Sequence, residues 1–198
     1  SGQLIIPDSL SSISNDVFSG CSGFTGSLTI PKTIIEIGVR AFYKCFGLTG
    51  SLSIPKSVMY IRKDAFNGCL SFSGSLTITN STVVIEECAF MNCESFTKSL
   101  EIPPSIKEIN NYLFYGCKKF DGSLTIPSSV TKIGNYAFNG CSSFVGDLKI
   151  PDSVLDIGFS SFSNCRGFDG SLILSSNITV VKNNTFFECS SLSGLLIL

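Results

Sequence analysis

The chain contains no histidine and few charged residues, with 14 basic and 15 acidic side chains among 198 residues. Without histidine, the common pairs of a nucleophile and its base cannot form. No glycine-rich phosphate loop of the P-loop or dinucleotide type is present. Glu86 and Glu87 are adjacent in a predicted loop and point apart, which favours a solvated surface over an acid–base pair. We therefore expect no enzymatic activity and no cofactor.

Long runs of one charge and long apolar runs are also missing. The formal charge is −1, and the chain lacks the basic stripe that binding to nucleic acid requires. No stretch approaches the roughly 20 apolar residues of a transmembrane helix. The first residues, SGQLIIPDSL, have no basic region or cleavage site of a signal peptide, so we expect any export signal or anchor to lie outside this segment. With 43% apolar residues, the chain has ample material for an ordered core.

What the sequence does contain is a 24-residue repeat that covers the whole chain. Eight cysteines recur at this interval without an insertion or deletion: Cys21, Cys45, Cys69, Cys93, Cys117, Cys141, Cys165 and Cys189. A phenylalanine precedes each of them by three residues, a leucine follows by seven, and isoleucine or leucine follows by nine. We number the repeats 1 to 8 by the cysteine that ends each one. A fixed repeat of this length is typical of solenoid proteins.

The segment GSLTIP, residues 122–127, predicts a short strand. Its leucine and isoleucine are two residues apart and so point to one side of an extended chain, between a glycine and a proline that end the pairing. A second extended segment is expected at SVTKIG, and NYAFNGC predicts a turn or a short 3₁₀ segment. One unit cannot bury its own apolar columns, whereas stacked units place Phe on Phe, Leu on Leu and Cys on Cys.

Three interpretations of the cysteine row are open. A zinc site needs four thiolates around one point, whereas a row spreads the sulfurs along a line and no CxxC pair is present. Disulfides between adjacent coils would need local distortion, because parallel side chains hold the Cβ atoms too far apart. The favoured interpretation is packing, with each free thiol acting as a small buried side chain and weak donor. Cys88 lies outside the row, in a column that we expect to face solvent, and is a possible free surface thiol.

In LTIPSSVTKIGNYAFNGC, residues 124–141, the pattern Leu-x-Ile-Pro is followed by Val-x-x-Ile-Gly and Ala-Phe-x-x-Cys. This pattern resembles the BspA-like, or treponemal, class of leucine-rich repeats, and the resemblance covers the entire chain. Two features depart from the class. The spacer FTGSL, residues 24–28, has one extra position, and the fourth repeat, with TITNST at 77–82, loses its proline.

The resemblance implies one leucine-rich-repeat domain over residues 1–198, a right-handed solenoid of eight 24-residue coils. The SLTI strands would form a parallel concave sheet, with short strands or turns on the other side. Similar proteins occur on or outside the surface of oral and gut bacteria and of parasitic protists, where adhesion to host proteins is the usual role. The expected location is therefore extracellular or at the cell surface, with a host surface or matrix protein as partner. Fold alone does not determine the ligand.

Two sets of side chains are candidates for partner binding. On the strand row, the outward positions are Thr29, Ser53, Thr77, Glu101, Thr125 and Lys149. On the second extended segment, three successive coils carry apolar residues before the next coil turns charged at Lys107 and Glu108: Ile35, Met59, Tyr60, Val83 and Val84. Such a patch usually contacts something. The alternative interpretation is that these side chains fold into the corner of the coil.

Two structural roles are alternatives to adhesion. Glu101 and Lys149 interrupt the regular threonine array that an ice-binding face would require. Self-association is harder to dismiss, because the segment begins at a strand and stops at LLIL without the polar caps usual for solenoids. We expect the segment to be a fragment of a longer array. The alternative function is thus an intracellular or secreted scaffold that associates end to end.

Overall fold

A computed structural model describes residues 2–197 of the chain, which form a stack of coils built from short parallel strands. In chain order the strands are β1 (Ser12–Ile13), β2 (Gly26–Ser27), β3 (Glu36–Ile37), β4 (Leu48–Thr49), β5 (Leu52–Ile54), β6 (Tyr60–Ile61), β7 (Leu76–Ile78), β8 (Val84–Ile85), β9 (Leu100–Glu101), β10 (Glu108–Ile109), β11 (Leu124–Thr125), β12 (Lys132–Ile133), β13 (Leu148–Lys149), β14 (Asp156–Ile157), β15 (Leu172–Ile173) and β16 (Leu196–Ile197). No helix occurs among the described residues. The fold is a mainly β solenoid of leucine-rich-repeat type, as the 24-residue period predicts.

The strands form two rows, and neighbouring strands in a row pair in parallel. The second row consists of β1, β3, β6, β8, β10, β12 and β14. In this row, Ile37 of β3 pairs with Ile61 of β6, which pairs with Ile85 of β8. In the first row, Leu148 of β13 pairs with Leu172 of β15. Each partner lies one full repeat further along the chain, so equivalent positions of successive repeats lie directly above one another. The short pair β2–β4 departs from this register, because it joins Gly26 to Leu48 in the spacer.

The SLTI strand is not formed in every copy. Residues 4–6 and 28–30 are not strands, although Leu4 and Leu28 are buried like their counterparts in later repeats. Burial of the apolar column therefore continues where the hydrogen-bond ladder does not. In the fourth repeat, which lacks the proline, the strand β7 is formed and the amide of Thr82 still donates to the carbonyl of Thr79 as in the proline turns.

The core consists of side chains stacked along the axis. The phenylalanines three residues before each cysteine stack face to face from Phe18 to Phe186, with centroid distances of 5.1–5.8 Å. A second row runs from Phe72 to Phe168 at 5.3–5.8 Å. Edge contacts such as Phe114 with Phe120 at 6.5 Å join the rows. One continuous cluster of buried residues extends from Leu4 to Leu174.

The corner before each cysteine is a turn that cannot extend into a helix. Arg40 and Lys44 have φ of 52° and 55°, and the corresponding positions of the other repeats are also left-handed. Each such residue interrupts right-handed helical geometry. The corner amides bond to the next coil instead, as in Arg40 N–H to Lys63 O at 3.0 Å and Phe42 N–H to Ala65 O at 2.8 Å. These bonds between coils offset the cost of the left-handed backbone.

Both strand rows are interrupted between repeats 4 and 5. Strand β8 does not pair with β10, and β7 does not pair with β9. The Ile85 carbonyl, which would accept a backbone bond, instead accepts the side-chain amide of Asn110 at 2.7 Å. The corner remains bonded here, since Phe90 N–H donates to Leu113 O at 3.1 Å. The stack is therefore continuous at the phenylalanine corner, whereas strand pairing is missing here on both strand faces, as it also is between β11 and β13.

Candidate functional site

The outward positions of the first strand row form a polar column. Thr29, Ser53, Thr77, Glu101, Thr125 and Lys149 are all exposed, between buried leucine and isoleucine neighbours. A shallow depression of about 260 Å³ lies where the row is interrupted, lined by residues that include Ser75, Thr77, Ser99 and Glu101. The column offers hydroxyl groups and two opposite charges to a partner.

The second strand row carries an apolar strip, which we name the apolar stripe and define as Ile35, Met59, Tyr60, Val83 and Val84. Ile35, Met59 and Val83 expose 48%, 40% and 41% of their surface, whereas Tyr60 and Val84 are half-buried. The side chains therefore do not fold into the corner of the coil. Ile61 and Ile85 occupy the inward positions of β6 and β8, which places Tyr60 and Val84 on the other face, and Ile35, Met59 and Val83 lie just before the strands.

The stripe ends at the interruption between repeats 4 and 5. A depression of about 260 Å³ lies there, lined by Val83, Val84, Ile85, Lys107, Glu108 and Asn110. Lys107 occupies the position that is apolar in the three preceding repeats, Glu108 follows Tyr60 and Val84 in the next column, and both charged residues are exposed. The stripe is thus bounded by charge at this end and has a recess large enough for a side chain.

A chain of ion pairs borders the stripe on the same face. Arg62 contacts Glu36 at 2.8 Å and Glu86 at 3.0 Å, and its guanidinium lies 4.8 Å from the ring centre of Tyr60. The hydrogen bond from Arg62 lowers the pKa of Glu36, and both glutamates raise the pKa of Arg62. Charges that are paired in this way form a polar rim. The free energy needed to keep them beside a contact surface is small.

The eight periodic cysteines are free, and Cys45, Cys69, Cys93, Cys117, Cys141 and Cys165 are buried. From Cys45 onward, each thiol donates to the carbonyl of the phenylalanine 27 residues earlier, as in Cys117 Sγ to Phe90 O at 3.2 Å. The same bond recurs in all seven pairs at 3.0–3.2 Å. Burial raises the pKa of these thiols. No cluster of metal-binding residues occurs between residues 2 and 197.

Cys88 is half-buried, and its column is less exposed than the sequence suggested. Ser160, in the same column, is buried, and Tyr112 and Tyr136 stack on each other at 4.9 Å. The backbone of Cys88 is left-handed, with φ of 59°, as it is at every position of this column. Burial, with the nearby carboxylates of Asp64 and Glu87, raises the pKa of Cys88 to about 11.

A polar groove also exists that the sequence analysis did not single out. Asn111 and Asn135 each accept, on the side-chain oxygen, the backbone amide of the residue 24 positions later, at 2.8 and 2.9 Å. Gly134 and Gly158 lie beside them, where an added Cβ would approach backbone atoms to 2.6 and 2.4 Å. A sequence signal could have identified this arrangement. Asn111 and Asn135 lie one position after the column that contains Gly134 and Gly158, and each asparagine is followed by a glycine in that column of the next repeat.

No helix in the part of the chain that the structure describes is long and apolar enough to cross a membrane. A comparison with curated proteins finds no match.

The family model described as "BspA type Leucine rich repeat region" matches residues 2–121 and 122–197. A leucine-rich repeat protein from Eubacterium ventriosum is 20% identical with a TM-score of 0.51, over 93% of this chain and 63% of that one. A leucine-rich repeat protein from Bacteroides ovatus is 25% identical with a TM-score of 0.48, over 94% and 64%. A leucine-rich cell surface protein from Faecalibacterium prausnitzii is 16% identical with a TM-score of 0.41, over 98% and 86%.

The chain therefore spans less than two thirds of the length of the first two structures. The Eubacterium ventriosum structure supports the fold alone. The family model matches nearly the whole chain, including the segments that contain the phenylalanine and cysteine rows. The chain belongs to the BspA-type leucine-rich repeat family, whose repeats are generally modules for protein interaction.

Proposed function

We propose that this chain is a non-enzymatic protein-binding module in cell-surface adhesion or host interaction, and that the apolar stripe is its main contact. The observation that supports this proposal is the exposure of Ile35, Met59 and Val83 at equivalent positions of three successive coils. Contiguous exposed apolar side chains with a polar border are characteristic of interaction sites.

The recess at the end of the stripe gives the contact a place for an anchor. Binding energy in protein interfaces concentrates on a few side chains that fill pockets. The depression beside Val83 and Val84 suits an apolar partner side chain, with Lys107 and Glu108 at its edge. The polar column of the first strand row would add hydrogen bonds to a partner that reaches across the coil.

The proposed location is extracellular or at the cell surface, which the family supports. The state of the thiols is compatible with an oxidising environment. Oxidation of cysteine proceeds through an accessible thiolate, whereas six of the periodic thiols are buried and have raised pKa values where these are resolved. Self-association through the ends of the stack stays a prediction, which size-exclusion chromatography over a range of protein concentrations would check.

The stripe is tested by replacing Met59 and Val83 together with aspartate. Both side chains are substantially exposed, so we expect the fold to persist while affinity for a captured host matrix or surface protein falls at least ~10-fold, because two apolar anchors are replaced by charges. The matched control is Leu155→Asp, which changes an exposed leucine at the same position of a later repeat.

Affinities would be measured by biolayer interferometry, with extracellular matrix and epithelial surface proteins immobilised in turn. Binding by the parent and by Leu155→Asp, with loss in the double variant, supports the stripe. Undiminished binding by the double variant, or an equal loss of affinity in the control, would show that the stripe is not the binding surface. Absence of binding to every protein in the panel counts against the proposed adhesion role.

A further inference from the structure

We infer that the polar groove of repeats 5 to 8 is a binding site for an acidic oligosaccharide, separate from the apolar stripe. The groove has a volume of about 220 Å³. Its lining includes Gly134, Gly158, Asn111, Asn135, Lys132 and Asp156. The same columns of repeats 3 to 5 line a depression of about 240 Å³ with a different chemistry, because Lys63, Glu86, Glu87 and Asn110 occupy the positions that glycine and asparagine hold here.

The two asparagines present hydrogen-bond donors in fixed positions. Since the side-chain oxygen of each accepts a backbone amide of the next coil, the NH₂ group of each is held in the opposite orientation. Within residues 2–197 neither NH₂ group donates a hydrogen bond, although other asparagines such as Asn110 and Asn177 do. The groove therefore holds two oriented donors that are free for a ligand.

Charge and aromatic surface add to these donors. Lys132 is exposed and makes no ion pair within the described residues. Asp156 is paired with Lys182, whose ammonium lies 5.7 Å from the ring centre of Phe159. Phe159 is 46% exposed. The groove thus combines a free cation for a carboxylate, one carboxylate for hydroxyl groups and an apolar ring for the C–H face of a sugar.

The spacing of the donors distinguishes a sugar chain from a peptide. Equivalent groups of neighbouring coils are separated by about one strand spacing, ~4.8 Å. An extended peptide presents carbonyls to one side only at every second residue, or about 6.7 Å, so it can match one asparagine but not two. A pyranose ring in an extended β-1,4-linked chain advances by about one strand spacing. From Asn111 to Lys182 the groove covers three coil steps, ~14 Å, which is the length of about three rings lying along its open side.

The site is tested with the tetrasaccharide of β-1,4-linked mannuronic acid, with cellotetraose as the neutral sugar and tetraglutamate as the acidic peptide. Binding would be followed by titration of the ¹⁵N-labelled protein. We expect the acidic tetrasaccharide to bind most tightly, to shift the side-chain NH₂ signals of Asn111 and Asn135, and to weaken as salt is added.

Asn111→Asp with Asn135→Asp keeps the oxygen that accepts the backbone amide but removes both donors. We expect this double variant to remain folded and to lose at least ~10-fold in affinity for the acidic tetrasaccharide; a loss of affinity for neutral cellotetraose as well would show that the missing donors, and not only the two added charges, are responsible. The matched control is Asn15→Asp, because Asn15 accepts the Val39 amide in the same way outside the groove. Lys132→Gln should weaken the acidic tetrasaccharide several-fold and leave cellotetraose unchanged.

Three results would overturn the inference. They are equal affinity of the double aspartate variant and the parent, tighter binding of tetraglutamate than of either sugar, and no shift of the two asparagine signals with any probe. Because the stripe variants and the groove variants lie on different repeats, failure of the groove leaves the proposed protein-binding function intact.

Discussion

Replacement of Phe114 by alanine is expected to lower the free energy of unfolding by about 3–5 kcal/mol. The Phe114 ring is fully buried, stacks on Phe90 and Phe138 at 5.6 Å each and meets the edge of Phe120 at 6.5 Å. The substitution removes the transfer energy of a buried ring and leaves a cavity between neighbours that are held by their own stacking. The effect should extend to both adjacent repeats, because each coil contacts only its neighbours.

Equilibrium unfolding in urea would measure this loss, and hydrogen exchange would locate it. The matched control is Phe46→Ala, which removes an exposed phenylalanine and should cost less than about 1 kcal/mol. Faster exchange of the corner amides in repeats 4 to 6 is the expected pattern. A loss as small as that of the control would show that the phenylalanine row does not hold the coils together.

Replacement of Gly167 by alanine is the second substitution with a large expected effect. A Cβ at this position would lie 2.5 Å from the Phe144 carbonyl oxygen and 2.7 Å from that of Ser142. Both atoms belong to the backbone of the preceding repeat, so neither can move without shifting the corner. We expect a loss of about 1–3 kcal/mol or more, as for other overpacked sites.

The matched control is Gly23→Ala, at the same position of the motif. An added Cβ at Gly23 meets no atom within 4 Å and needs no unusual φ, so alanine there should be neutral or stabilise by up to about 1 kcal/mol. Thermal unfolding of the two variants side by side separates the effects. Equal behaviour of both variants would contradict the close approach of neighbouring coils at Gly167.

The stacking itself could be predicted from the sequence, for a physical reason. A column in which every member is phenylalanine, cysteine or leucine needs a single environment repeated along an axis, and only coils stacked in register with the repeat provide it. The pairing of Ile133 with both Ile109 and Ile157 is the direct consequence. The same geometry favours packing over zinc binding for the cysteines, because stacked coils place the sulfur atoms along a line and not around one point.

The features that could not be predicted from the sequence are contacts between residues that belong to different columns of neighbouring coils. The bond of Asn110 to Ile85 O and the groove beside Asn135 arise from contacts between the side chains of one repeat and the backbone of a neighbouring repeat. The half-burial of Cys88 is a third feature that its column did not predict. The left-handed φ of 72° at Lys98, in a column otherwise held by glycine, is a further example. Periodicity within one column contains no information about these contacts.

Alkylation of the native protein followed by intact-mass measurement tests the stacked core most directly. Treated with iodoacetamide at pH 8 without denaturant, the protein should gain at most three carbamidomethyl groups, on the partly exposed Cys21, Cys88 and Cys189. Cys88 should react slowly, because its pKa of about 11 leaves little thiolate. After denaturation without reductant, all nine cysteines should react. Labelling of all nine in the native protein, or fewer than nine after denaturation, would contradict a core of stacked free thiols.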